Sequence, residues 1–131
     1  MNRDRKGQVF QTAIPKGSLT RYRFVWTSNA AGDAVFKCLP MPGVAVEVAW
    51  SNSDAGGETY SATLIDDLAA DWLLGLVSGK STGASSRAAL VDVTVTSSES
   101  RPAPLPDGLW FVVDCSASAQ RSGVIDIWVK P

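Results

Sequence analysis

Glu58–Gly79 reads ETYSATLIDDLAADWLLGLVSG, and it is the one place in the chain where the hydrophobic period changes. Tyr60, Ala62 and Leu64 alternate with Thr59, Ser61 and Thr63, the period of two expected of a half-buried strand. Beyond Asp66 and Asp67 the spacing lengthens. Leu64, Leu68 and Trp72 fall four apart, and Leu73, Leu74, Leu76 and Val77 fill out an apolar stripe, which predicts a short α-helix over residues 67–76. Asp66 or Asp67 would accept hydrogen bonds from its first free N–H groups, and Gly75 or Gly79 would end it.

The rest of the chain reads as strands and turns. Leu19 to Ser28 alternates, with Tyr22, Phe24 and Trp26 on a face to be buried and Arg21, Arg23 and Val25 on a face that is wet or meets a partner. Asn29–Asp33 is a turn in which Asn29 and Gly32 suit positive φ. Ala34–Leu39 reads as the return strand of a hairpin. Pro40-Met41-Pro42-Gly43 marks an edge or a crossing between sheets, because neither proline donates to a ladder. Val44–Trp50 is the cleanest strand, and Ser51–Gly57 a polar loop. Past the helix, Ser78–Ser86 reads as a linker, Ala88–Thr96 as a strand and Ser97–Gly108 as an exposed loop. Leu109–Cys115 and Gly123–Lys130 close the chain as a final hairpin. The sum is a mainly β chain: an antiparallel β-sandwich or partly open barrel of about seven strands with one short helix. Residues 1–17 read as an N-terminal arm and 18–131 as a single sandwich domain.

At 131 residues the chain suits one domain with one core, and 45% apolar with 19% charged residues is a globular composition. The net charge of −1 gives no basic excess for nucleic acid. It is uneven, however. Four basic residues against Asp4 give residues 1–16 a net of +3, and the remainder is −4. A basic arm on a mildly acidic body suits docking onto an acidic surface. A solvated, frayed terminus is the plainer reading. No apolar run approaches the roughly 20 residues of a membrane helix, and no apolar block follows the N-terminal charges as a secretory signal would require. Cys38 and Cys115 then read as buried thiols of a chain made in a reducing cytoplasm, with a disulfide open only if their strands face each other.

Catalytic chemistry finds little to work with. There is no histidine, which removes histidine triads, histidine bases and the commonest metal ligand. Two isolated cysteines do not make a four-ligand zinc site. Asp66, Asp67 and Asp71 are the most enzyme-like group, but adjacent carboxylates point apart and no ligand loop surrounds them, so helix capping accounts for them better. Gly79-Lys80-Ser81-Thr82 resembles the end of a phosphate loop, yet Leu74 stands where the first glycine belongs. No catalytic, cofactor-binding or metal-binding residue is expected. Among the five tryptophans, Trp110 and Trp128 share their faces with Asp114 and Asp126 and are the better candidates for a contact surface.

Three segments taken together resemble a known family. They are Phe24-Val25-Trp26-Thr27-Ser28 with Asn29–Asp33, Thr59–Asp67 running to Ala70-Asp71-Trp72-Leu73-Leu74-Gly75, and Leu109–Val113 with Ala117–Gly123 leading into Ile125–Lys130. Their order and spacing are similar to small structural proteins of tailed bacteriophages encoded among head and tail genes. There a W-T-S/D…G hairpin, a Y-x-x-T-L-x-D…D-x-L-x-G segment and a final G-x-V-x-I-Y-V strand recur. The match spans most of residues 20–130, and Leu68-Ala69 stands where that family prefers glycine. The resemblance implies a non-enzymatic virion β-sandwich, foremost a capsid decoration or cement protein on the outside of the head. Its partner would be the major capsid protein or another virion protein. Synthesis would be in the host cytoplasm and the chain would be a homo-oligomer, a trimer by analogy. Arg3, Arg5, Lys6, Val9, Phe10 and Ile14 would anchor it, with Trp110 and Trp128 as further contacts. A tail or head–tail junction protein and a carbohydrate-binding β-sandwich module are the alternatives.

Overall fold

The computed structural model describes residues 6–51, 59–66, 73–81, 86–89, 103–115 and 120–131. Among the described residues there are ten strands and no helix. Eight have five residues or more: β1 (Gln8–Lys16), β2 (Leu19–Thr27), β3 (Asp33–Lys37), β4 (Val44–Ser51), β5 (Thr59–Asp66), β6 (Leu73–Ser81), β9 (Leu109–Cys115) and β10 (Ser122–Lys130). The short pair are β7 (Ser86–Ala89) and β8 (Ala103–Pro104). They form two antiparallel sheets. The large sheet runs β1-β2-β10-β4-β7, with β8 also on β4, and the small sheet runs β3-β9-β5-β6. With β1 set aside, β2-β10-β4-β7 stands over β3-β9-β5-β6. This is the strand order of a jelly roll.

The two sheets meet face to face. Phe24 of β2 stacks on Phe111 of β9 with centroids 4.5 Å apart and 5° between the planes. Trp26 lies 5.4 Å from Tyr60 of β5 in a tilted pair. The predicted inward faces of three strands are the buried ones: Tyr22, Phe24 and Trp26 on β2, Tyr60, Ala62 and Leu64 on β5, and Ile125, Ile127 and Val129 on β10. On β4, alternation predicts Val44, Val46, Val48 and Trp50 inward, and this is corrected in its first half: Val48 and Trp50 are buried, but a register shift against β10 buries Ala45 in place of Val44 and Val46. Alternating burial on both sheets is what a two-layer core requires.

The helix over 67–76 is corrected by β6. Residues 73–76 begin this strand, with Ile65 paired to Leu73 and Leu64 to Leu74; residues 67–72 lie outside the described residues. Leu74 and Leu76 are buried and Gly75 between them is not, a period of two hidden inside a continuous apolar run. Such a run does not by itself separate a strand from a buried helix. The same strand takes in part of the expected linker, since Tyr60 pairs with Lys80 and Thr59 with Ser81. Gly79, Lys80 and Ser81 are therefore strand residues. Of the strand expected over 88–96, Ala88 and Ala89 belong to β7, and the rest lies outside the described residues. Part of the expected 97–108 loop pairs with β4 as β8, and Leu105 packs against the core.

Both predicted hairpins are also corrected. β2 and β3 lie in different sheets, as do β9 and β10, so each connection carries the chain across the sandwich. The turn between β2 and β3 forms as expected: Asn29 Oδ1 accepts from the N–H groups of Ala31 and Asp33, and Gly32 has φ 89°. Ser28 closes this end by accepting from the Arg121 N–H at 2.8 Å. Pro40–Gly43 does bridge the sheets, from β3 to β4. Cys38 and Cys115 are free thiols. Burial pushes Cys38 up to about 12 and raises Cys115 as well.

Residues 8–16 are not an arm. They are β1, paired to β2 along its whole length from Gln8 opposite Thr27 to Lys16 opposite Leu19. Lys6 is bridged to Val35 of the small sheet, and its N–H and C=O both bond there at 3.1 and 2.8 Å. The chain thus steps from one sheet to the other at Gly7.

Candidate functional site

Four strands of the large sheet put twelve residues on its outer face in three rows. Their register runs Phe10–Val25–Val124–Ser51, then Thr12–Arg23–Asp126–Ala49, then Ile14–Arg21–Trp128–Glu47, in the order β1, β2, β10, β4. The middle row holds an ion pair. Arg23 Nε and Nη2 donate to Asp126 Oδ1 and Oδ2 at 2.8 and 2.9 Å. The Arg23 guanidinium is held above its ordinary value, chiefly by the hydrogen bond to Asp126. Asp126 is only 8% exposed although it faces outward, since the paired guanidinium and its neighbours cover it. This fork holds the two side chains to each other; in the first row Phe10, Val25 and Val124 are apolar, and Ser51 ends the row on β4.

Phe10 is 57% exposed and Val25 40%. Together with Leu39 at 59% they are the exposed large hydrophobic residues among those described. Phe10 and Val25 are register partners on the outer face, and Leu39 is tied to β1 through Gln11, which alternation puts on the opposite face from Phe10. The Gln11 amide donates from Nε2 to the Leu39 carbonyl at 3.2 Å, and its Oε1 accepts from the Leu39 N–H at 2.7 Å. A side-chain amide thus does the work of one rung of backbone ladder.

The expected contact residues sort differently. Phe10, Ile14 and Trp128 share this outer face. Val9 does not: it faces inward opposite Trp26 and is buried. Trp110 lies on the far side of the sandwich, on the outer face of the small sheet between Lys37 and Ile65. Lys37 Nζ stands 5.5 Å from the Trp110 ring centroid, so that ring face carries a cation. Lys6 is exposed at the Val35 bridge. Arg3 and Arg5 lie outside the described residues, as do Asp67 and Asp71. Among the described residues no group of three or more acidic or cysteine side chains is placed to hold a metal ion.

The sequence put Arg21 and Arg23 on a face that is wet or meets a partner, but Asp126, which pairs with Arg23 within the chain, was not visible at a separation of 103 residues. Leu39 was missed because its strand alternation ends at Lys37.

No protein-family model matches the chain, and no curated protein or solved structure matches it.

Proposed function

We propose that this protein is a non-enzymatic structural protein of a tailed-bacteriophage virion, foremost a decoration or cement protein that binds the outside of the capsid lattice and stabilises it. The observation that carries the proposal is the jelly-roll strand order, an architecture used by viral capsid domains as well as lectins and cupins. Fold alone does not assign function, so the outer face of the large sheet carries the second part. An apolar row of Phe10, Val25 and Val124 beside a locked ion pair suits burial against a partner, with repeated contacts summing over a lattice. Major capsid protein is the partner proposed, and Phe10, Ile14 and Trp128 are the contacts.

The test is occupancy on purified capsids, with and without residues 1–5. A longer N-terminal deletion would remove β1 and confound binding with unfolding. Saturable coverage of the whole head by the full chain is the expected result. Coverage confined to one vertex or to the tail would move the protein to the head–tail junction or tail, and no binding to any particle would end the proposal. The carbohydrate-module alternative is weakened at Trp110, whose ring faces Lys37.

A further inference from the structure

β1 is the last strand of the large sheet on its side. Lys16 and Leu19 flank a two-residue turn, so they form a hydrogen-bonded pair, and antiparallel alternation then turns the even positions of β1 toward β2. The odd positions, Val9, Gln11, Ala13 and Pro15, direct their backbone groups to the free side. Among the described residues no backbone group bonds to them there. Gln8 to Pro15 carries no charge, although edge strands are ordinarily guarded by charges, bulges or prolines. The proline present, Pro15, sits at a free-side position near the end, where its missing N–H costs β2 nothing.

We propose that this edge is a homotypic interface, in which β1 of two copies pairs antiparallel about a two-fold axis at Thr12 and joins the two large sheets into one. The strand is self-complementary in that register. Gln11 falls opposite Ala13 of the second copy with both backbone bonds, and Val9 opposite Pro15 with one. On the outer face Phe10 meets Ile14 of the second copy and Thr12 meets Thr12, an aromatic–aliphatic pair and a hydroxyl pair of the kinds that stabilise sheets. Lys16 falls opposite Gln8, so no like charges oppose each other. The register also continues the apolar row of Val25 and Phe10 across the axis to Ile14 of the second copy. A shift of the register by one residue, which puts the axis between two residues, would bring inward positions opposite outward ones and break this pattern. The inference stands independently of the virion reading, and it specifies a two-fold where analogy with lattice decorations suggests a trimer.

Sedimentation equilibrium of the full chain from micromolar to submillimolar concentration tests it. The expected result is a monomer–dimer equilibrium that Thr12→Lys weakens by at least about tenfold, because two lysines then oppose each other across the axis. Tryptophan fluorescence of the variant should match the parent. Thr12→Cys gives an independent reading that requires only a folded chain. Directly opposed non-hydrogen-bonded positions lie within disulfide reach, so it should oxidise to a covalent dimer, while Ser18→Cys at the exposed turn should not. A monomer at all concentrations, a trimer, or a dimer indifferent to Thr12→Lys would overturn the proposal.

Discussion

Gly7 and Gly17 both have φ near +64°, yet alanine should behave very differently at the two positions. A Cβ built on Gly17 meets nothing within 4 Å. Gly17→Ala therefore incurs only left-handed backbone strain, about 1–2 kcal/mol, partly offset by a less flexible unfolded chain worth about 0.4–1 kcal/mol. The net cost is about 1 kcal/mol or less. A Cβ on Gly7 would lie 2.5 Å from the Thr27 carbonyl oxygen and 2.9 Å from that of Asp33. Both are backbone atoms at the turn joining the two sheets, so neither swings aside. Overpacking of this kind adds about 1–3 kcal/mol, which brings Gly7→Ala to about 2–4 kcal/mol. Urea unfolding followed by tryptophan fluorescence measures both variants, with equal m-values required for the comparison. The cost at Gly7 also has a ceiling. If the chain before Val9 peels away, the cost saturates at what the Lys6–Val35 bridge contributes, and amide exchange at Val35, whose N–H bonds the Lys6 carbonyl, reports that loss. Equal destabilisation at Gly7 and Gly17, with Val35 still protected, would refute the close approach of the two sheets at this step.

Three further outcomes follow from the core, the ion pair and the thiols. Phe111→Ala removes one ring of the inter-sheet stack and should cost about 3–5 kcal/mol in chemical denaturation. Arg23→Ala should destabilise more than Asp126→Ala, because it strands a carboxylate that is 8% exposed while the reverse change leaves a guanidinium side chain 38% exposed to water. The difference should be about 1 kcal/mol after solvent screening, and a double-mutant cycle in low and high salt measures it. Cys38 should be slow to alkylate at pH 8 in the folded chain. Raising its thiol from 9.0 to about 12 lowers the thiolate fraction about a thousandfold, so mass spectrometry should find it labelled only after denaturant. The thiol is harder to ionise folded than unfolded, so its contribution to stability is complete below pH 9 and fades as the pH rises toward 12. A flat unfolding midpoint across that range would contradict it.

The inward faces of β2, β5 and β10 were legible in the sequence, because their apolar residues alternate and a period of two survives any pairing; on β4 the register shift near Val46 breaks that period, and Ala45 is buried where alternation put Val44 and Val46. Pairing itself was not legible. The two apparent hairpins were inferred from nearness in sequence, whereas β2 finds β10 and β3 finds β9, partners that alternation alone does not identify. β1 read as an arm because it buries only Val9 and so lacks the signature of a core strand. Leu73–Val77 read as helix because its two buried leucines are surrounded by other apolar residues. Of the candidate contact surface, Phe10, Ile14 and Trp128 were named and do share a face. Val9 and Trp110 were drawn in by residue type and belong elsewhere.

Neighbours in sequence are parted almost everywhere: only β1–β2 and β5–β6, among the eight longer strands, pair with the strand that follows them. Each sheet thus holds one local hairpin among its longer strands, and a loop between sheets must close before most other ladders gain their first bond. That loop-closure entropy is spent in the transition state. Folding should therefore be slow for a chain of this length, in the range of milliseconds to seconds typical of non-local β topologies. During that interval the uncharged edge Gln8–Pro15 of β1, which joins β2 through a two-residue turn, would be the first sheet edge offered to other chains.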